Sequence, residues 1–597
     1  MKRKLLLPVL FLVLILSLLF SFEALAKPDP AGSFDVFQKE DLSAAEYDNI
    51  ARFVFSSIKN DSFDPELYKF LARDPLPRFV ILSVSDGKER YLDYYASEKG
   101  LRAAIENAVS KIPDDLKDSA SFVTVSLAGD FERIESPDTK EYINLDPGIE
   151  GIFVDGKVFL PSRLLFSGFL DNKGMLSVND LPHEEKGFLA TFMGFFRPEE
   201  KKELYKFTTL SLFTDGKEVL PLYRGHGVFR DLNEDLLQER IDIAAGYLAD
   251  AVKPSGKFRY SYQPEKDRYN SGYNILRHCG TLYSMLEVFE RSGNYRILEK
   301  AELAIDYLMD QISEDTLKGT EVALVEEGGA VKLGGNGLAI VALAKYSEVT
   351  GNMEYLPAMQ RMAKWMELTQ VDNGNFTIHK MAYPSGHVSS FISSFYPGEA
   401  ILSLVRLYSL DRDPVWLDVA EKASKYLINV RDRRKTVRNI PHDHWLLYGL
   451  NDLYRYRKDP LFVTHSLKIA DAIISRQNSN RKVADWNGGY YIPPGSTPTA
   501  TRTEGLCAAF RLALESGHSE KAEQYLDAIK RGVAFQLNTQ IGKENAWFFP
   551  APGRALGGFR RDLTESEIRI DYVQHNISAL KGLLGIMKRG EDDNFEK

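Results

Sequence analysis

The chain has 597 residues, 44% apolar and 27% charged, with 75 Lys and Arg against 84 Asp and Glu and a formal net charge of −9. That length is too great for one small core, so two or more domains are expected, and the composition excludes a wholly disordered chain. The acidic balance excludes a general attraction to nucleic acid or anionic lipid, so any positive site must be local.

The chain opens MKRK, continues LLLPVLFLVLILSLLFSF, and reaches Glu23-Ala24-Leu25-Ala26. A basic start, an apolar run and an Ala-x-Ala site describe a secretory signal over residues 1–26, cleaved after Ala26. The alternative is a retained anchor, since the run is nearly long enough to span a bilayer. Cleavage removes Lys2, Arg3, Lys4 and Glu23, a net +2, and leaves −11. An exported protein, periplasmic or extracellular, is therefore expected, with no stable membrane insertion after cleavage. Cys279 and Cys507, the two cysteines, fall inside helices not expected to be neighbours and read as small core residues.

Residues 27–231 read as an α+β domain of unknown role. FVILSV (79–84), FVTVSL (122–127), GIFV (151–154) and FTTLSLF (207–213) read as strands. Asp-Gly-Lys at 86–88, 155–157 and 215–217 marks hairpins, and residues 98–112 read as an amphipathic helix. FVILSVSDGKERYL (79–92) and DPGIEGIFVDGKVFLPSRLL (146–165) resemble parts of the AMMECR1-like family. That family's Arg-Gly-Cys segment is absent, with Glu89-Arg90-Tyr91 roughly in its place, so no catalytic residue carries over.

From 232 to 590 the period is helical, no strand of any length is expected, and 591–597 reads as a polar tail. Six apolar helices start near Tyr273, Asn336, Tyr396, Asp443, Thr503 and Tyr572, each paired with an amphipathic helix. A single hairpin cannot bury its own apolar face, so the units must stack, and six can close on themselves. Helices apolar on all sides belong inside, and those with a charged face belong outside. Turns from inner to outer helix are short, with Gly or Pro, whereas the return connections are long, aromatic and polar. All inner helices then begin at one mouth.

The residues at those starts are Arg277-His278, Gly335-Asn336, Tyr396 to Glu399, His442-Asp443-His444-Trp445, Arg502-Thr503-Glu504 and Asp571 to Asn576. Capping accounts for Asp443 and Thr503, but not for Arg277, His278, His444, Arg502 or His575, since a cation there opposes the helix dipole. Converging acids, bases and aromatics describe a candidate active site. Glu399, Asp443 and Glu504 are the candidate catalytic carboxylates, because glycoside cleavage needs one protonated and one ionised carboxyl. His278, His444, His575, Tyr396 and Tyr572 are the alternative acids and bases. Arg277, Asn336, Trp445, Arg502, Arg554, Arg569 and Asp571 are candidate substrate contacts, with Arg560 and Arg561 read as loop braces. The concentration of guanidinium groups suggests an anionic sugar. His442-Asp443-His444 lacks ligand spacing and LGGNGLA (333–339) lacks the phosphate-loop Lys, so no metal and no cofactor are expected.

This pattern resembles the six-hairpin (α/α)6-toroid superfamily, which includes six-hairpin glycosidases, unsaturated-uronide hydrolases, sugar 2-epimerases and glucuronyl C5-epimerases. The resemblance implies a sugar site at the mouth, served by carboxylate pairs in the hydrolases, His pairs in the 2-epimerases, and Tyr with carboxylate in the C5-epimerases. The expected function is therefore an exported carbohydrate-active enzyme on an acidic glycan, first as a glycoside hydrolase. A sugar epimerase or a lyase with a His or Tyr base is the alternative. A non-catalytic glycan- or protein-binding toroid in envelope assembly is the third reading. Fold alone does not choose among them, and the oligomeric state is not legible.

Overall fold

The computed structural model describes residues 44–61, 68–73, 77–88, 91–134, 143–154, 157–170, 174–175, 204–229, 231–479 and 483–595. Residues 1–26, read as a signal, lie outside them, as do Glu89-Arg90 and Asp155-Gly156. The chain divides into two compact units, one running to Leu164 and including His183–Arg224, the other running from Gly225 onward and including Leu165–Lys173.

In the first unit, β1 (Pro77–Ser85), β2 (Tyr91–Lys99), β3 (Phe122–Arg133), β4 (Glu150–Val154), β5 (Lys157–Phe159) and β6 (Leu204–Thr214) lie in the order β2-β1-β3-β6-β4-β5, every neighbour antiparallel. The alternation of β1 explains its two faces. Val80, Leu82 and Val84 pack with Ile50 and Val54 of α1 (Ala44–Lys59) and Ala104 and Ile105 of α2 (Leu101–Ser110). Phe79 and Ile81 pack on the other face with Phe153 and Phe207. The helix expected from residue 98 begins at Leu101, because Glu98 and Lys99 complete β2 and Gly100 turns the chain at φ +96°.

The second unit holds twelve long helices: α3 (Glu234–Ala251), α4 (Ile275–Ser292), α5 (Tyr295–Met309), α6 (Leu333–Thr350), α7 (Leu356–Thr369), α8 (Tyr396–Asp411), α9 (Pro414–Tyr426), α10 (His444–Tyr456), α11 (Pro460–Ile474), α12 (Ser496–Glu515), α13 (Ser519–Thr539) and α14 (Ile570–Phe595). The even-numbered helices pack in sequence, and α14 packs back on α4, so the inner ring is closed. From α5 onward each odd helix covers the inner helix before it, while α3 covers α14. The unit is an (α/α)6 toroid. Leu338–Ala344 of α6 are all buried, as an inner position requires, whereas α5 buries only Ile297, Ala301, Ala304, Ile305 and Leu308 at helical spacing. Gly293 and Gly351 end inner helices in the left-handed conformation, and Pro414 and Pro460 open outer ones behind capping Asp413 and Asp459. Cys279 and Cys507 are buried and unlinked. No helix among the described residues is long and apolar enough to cross a membrane.

Three expectations are corrected. Strands do occur after residue 232: Ile312–Leu317 and Thr320–Val325 form a hairpin, turned by Lys318 (φ 53°) and Gly319 (φ 79°). Its outer strand is charged and exposed, so no apolar alternation marks it. Helix α12 begins at Ser496, seven residues before Thr503, because Pro498 sits in the first turn, where no N–H is needed. Residues 591–595 continue α14 rather than forming a tail.

Candidate active site at the mouth of the toroid

A cavity of about 1040 Å³ opens at the N-terminal ends of the inner helices. Its wall includes Arg277 of α4, Leu338 of α6, Tyr396 and Glu399 of α8, His444 and Trp445 of α10, Arg502 of α12, and Asp571, Tyr572 and His575 of α14. All six inner helices therefore reach one basin. Asp443 and Glu504 sit just behind this wall, fully buried.

Glycines allow the carboxylate and histidine to sit where they do. A Cβ on Gly334 would fall 2.0 Å from Oε2 of Glu399, and a Cβ on Gly505 would fall 3.2 Å from that of His444. The LGGNG segment is thus a packing device that gives Glu399 its room. Glu399 Oε2 is buried with no hydrogen-bond partner. Burial, then the charge of Asp443, pushes its pKa up to about 8. Asp443 caps α10 by accepting from the Leu446 N–H at 3.0 Å, while its Oδ2 has no partner. Burial raises its pKa to about 7 against the pull of Arg431. Capping, expected for Asp443, is thus real but uses only one of its oxygens.

Two imidazoles face each other from α10 and α14, with ring centroids 5.4 Å apart and planes at 82°. His575 Nδ1 is 2.9 Å from Glu504 Oε1, an acid–imidazole pair that shares a proton. Burial raises the Glu504 pKa while His575 opposes that rise. His444 Nε2 is buried without a partner, and burial, then His575 and Arg502, hold the ring well below the usual imidazole range. His444 is therefore a neutral base at neutral pH. Trp445 lies against both rings, at 4.7 and 6.2 Å.

The arginines divide by their partners. Arg277 and Arg569 both pair with Asp571, at 3.0 and 2.5 Å, and Arg554 pairs with Asp267 outside the main cavity. Arg502 has no carboxylate partner among the described residues. Its guanidinium donates to His442 Nδ1, the Pro498 carbonyl and the Tyr491 hydroxyl at 3.0, 2.7 and 2.9 Å, and lies over both Tyr490 and Tyr491. Arg560 is a buried brace on the Leu563 and Asn538 carbonyls, as expected, but Arg561 lines the cavity instead.

Several candidates fall away. His278 is a core histidine: its Nδ1 accepts from the Tyr273 hydroxyl and its Nε2 donates to the Ala304 carbonyl, each at 2.8 Å. Asn336 is buried and accepts from the Val325 N–H at 2.7 Å, tying the β-hairpin to α6. Arg554 lines a separate cavity of about 350 Å³ with Tyr247 and Tyr269. Thr503 is no cap; in the second turn of α12 it donates to the Thr499 carbonyl and accepts from Gln536. Thr497 and Thr501 line the cavity and were missed, hidden by the late placement of the α12 start. Tyr572 lines the cavity too, donating to Glu567 at 3.2 Å.

The His442-Asp443-His444 run does not form a ligand set. Instead His444, Glu504 and His575, from three helices, offer atoms all within 4.8 Å of one another, the one group among the described residues able to hold a metal ion. Sequence spacing along one helix could not show it.

No family model matches the chain, and no curated protein does. Solved structures similar to it include a D-mannose isomerase, at 14% identity over 60% of this chain and 100% of that one, with TM-score 0.46. The α-1,6-mannanase of Salegentibacter sp. matches at 11% identity over 58% of this chain and 98% of that one, with TM-score 0.41. The cellobiose 2-epimerase of Bacillus thermoamylovorans matches at 12% identity over 58% and 98%, with TM-score 0.47. The closed ring of six hairpins rests on the helix packing of this chain itself, which makes its second unit an (α/α)6 toroid.

Proposed function

We propose that this protein is a carbohydrate-active enzyme that moves a proton at a sugar carbon next to a carbonyl or carboxylate, an epimerase or isomerase. The observation that carries this reading is the His444–His575 pair at the cavity wall, with Glu504 behind one ring and no partner on Nε2 of the other. One neutral imidazole takes the proton from carbon, and the pair returns one to that carbon or to its neighbour. Glu504 holds the charge that His575 carries during the exchange. Proton number is conserved, and no electron leaves the substrate. Arg502 and Arg561, which have no carboxylate partner among the described residues, favour an anionic sugar over a neutral one. The basic, apolar and Ala-x-Ala pattern of residues 1–26 supports export.

Incubating candidate sugars and uronates in D2O tests the reading. Deuterium at a single carbon, without new reducing ends, is the expected result, and its loss in His575→Asn ties the exchange to this site. Glycoside hydrolysis is the second reading, favoured by the unpartnered Glu399 carboxyl, which is protonated at neutral pH and so able to act as an acid. It is weaker because neither Asp443 nor Glu504 lines the cavity, and the other carboxylates that do are engaged: Asp571 by Arg277 and Arg569, Glu567 by Tyr572 and Asp562 by the Thr564 and Glu565 N–H groups. New reducing ends with no deuterium incorporation would transfer the assignment to hydrolysis.

A further inference from the structure

The densest positive charge in the toroid does not line the cavity. Between α9 and α10 the chain reads Arg431-Asp432-Arg433-Arg434-Lys435-Thr436-Val437-Arg438, five cations against one carboxylate. Asp432 is already committed: it is buried, pairs twice with Arg431 at 2.9 and 2.7 Å, and lies 3.3 Å from His465. Arg433, Arg434 and Arg438 are exposed, and among the described residues none of them, nor Lys435, has a carboxylate within 4.0 Å.

These cations adjoin two others. Arg476, also exposed, donates to the Arg438 carbonyl at 3.1 Å, and Arg502 donates to His442 at the end of the same loop. His442 sits between them: burial first, then Arg502 and Arg476, holds its pKa down to about 4, so it adds no charge and accepts from Arg502. A strip of unpaired charge thus runs from the exposed loop through Arg476 to Arg502 at the cavity wall. In a protein of net charge −9, such a local concentration stands out. Self-repulsion makes it costly unless an anion neutralises it.

We propose that this strip binds a polyanionic glycan, whose repeated carboxylate or sulfate groups lie along Arg433, Arg434, Lys435, Arg438 and Arg476 while one sugar occupies the cavity beside Arg502. The proposal rests on reading the cavity as a sugar site. A single sugar acid can use Arg502 alone. A chain longer than the cavity gains the whole strip, and each neutralised charge releases counterions, so affinity rises with chain length and falls with salt. The acidic substrate expected from Arg277, Arg554 and Arg569 loses that support, since those three pair with carboxylates. The support comes from a different loop.

Binding to the full-length protein tests this without reference to turnover. The probes are polygalacturonate, trigalacturonate, dextran sulfate, neutral dextran, single-stranded DNA and phosphatidylglycerol vesicles, each titrated at about 50 and about 200 mM salt. Polygalacturonate or dextran sulfate should bind about 10-fold or more tighter than trigalacturonate at the lower salt. The variant R433S/R434S/K435S/R438S should lose that advantage and most of the salt dependence, with trigalacturonate affinity and Tm unchanged. Unchanged polymer affinity in the variant, equal binding of neutral dextran, or binding of DNA or vesicles with neither glycan overturns the proposal. His444→Asn and His575→Asn should keep full polymer binding. Failure of the proton-transfer reading and failure of the strip are therefore separate results.

Discussion

The two ends of the inner ring are built from the same helices and follow opposite rules. Toward the helix C-termini, charges are cross-paired between neighbours. Lys581 of α14 meets Glu287 and Glu290 of α4, Lys345 of α6 meets Glu290 and its own Glu348, and Arg406 of α8 meets Glu348 and Asp452 of α10. Burial pushes the Glu287 carboxyl up, yet Lys581, Ser578 and Lys345 hold it below its ordinary range. Toward the N-termini Glu399, Asp443 and His444 are buried, whereas Glu290 and Glu348 of the belt are exposed, and among the described residues an oxygen of each acid and a nitrogen of His444 have no hydrogen-bond partner. A cross-paired belt fixes the ring, while groups with neither an ion pair nor a hydrogen bond on one atom stay open for something else to engage. The difference teaches that the far end pairs its charges across helices while the mouth leaves its most buried acids and base open.

Substitutions can break or sharpen that contrast. The largest effect is expected from His575→Asn or His444→Asn, each cutting the rate of carbon-bound proton exchange by roughly 10²–10⁴-fold, followed by NMR in D2O, with little change in Tm. Glu399→Gln should stabilise the protein at neutral pH. Its carboxyl is raised from 4.5 to about 8, so ionisation in the unfolded chain draws stability away as pH rises through that window. Parent and variant should match at pH 4, and the variant should lead by up to ~3 kcal/mol at pH 7, read from denaturant melts. Equal stability at both pH values would show that Glu399 is solvated or paired. At the opposite end, Lys345→Met should cost about 1–3 kcal/mol by leaving Glu290 and Glu348 facing each other, with proton exchange unaffected. The smallest effect belongs to Arg554→Ala: its pair with Asp267 is exposed and outside the main cavity, so activity should stay within about twofold.

The ring was legible because inner and outer helices differ in ways a sequence displays: Leu338–Ala344 is apolar on every side, and Gly293 and Gly351 punctuate the turns. The convergence of Arg277, Glu399, His444, Arg502 and His575 followed from that ring geometry. What each of them does there was not legible. His278 and His575 look alike in sequence, both near the start of an inner helix, yet one turns outward to the Ala304 carbonyl and the other faces the basin beside Glu504. Helical phase separates them, and phase depends on where the helix begins. The same uncertainty concealed Thr497 and Thr501. Ion pairing is also invisible in one dimension: Arg569 and Asp571 are close in sequence, but the Arg277 that shares the same carboxylate is almost 300 residues away. The basic run RDRRKTVR gains a use only from its proximity to Arg476 and Arg502, which sequence order does not show.

Because α14 both closes the ring and carries Asp571, Tyr572 and His575, the basin acquires its last wall from the final helix of the toroid. A growing polypeptide that has made α4 to α12 holds five-sixths of an enclosure and half of the imidazole pair. The basin therefore closes in one step, when α14 docks between α12 and α4. Unseating that helix would open the basin and separate the two imidazoles.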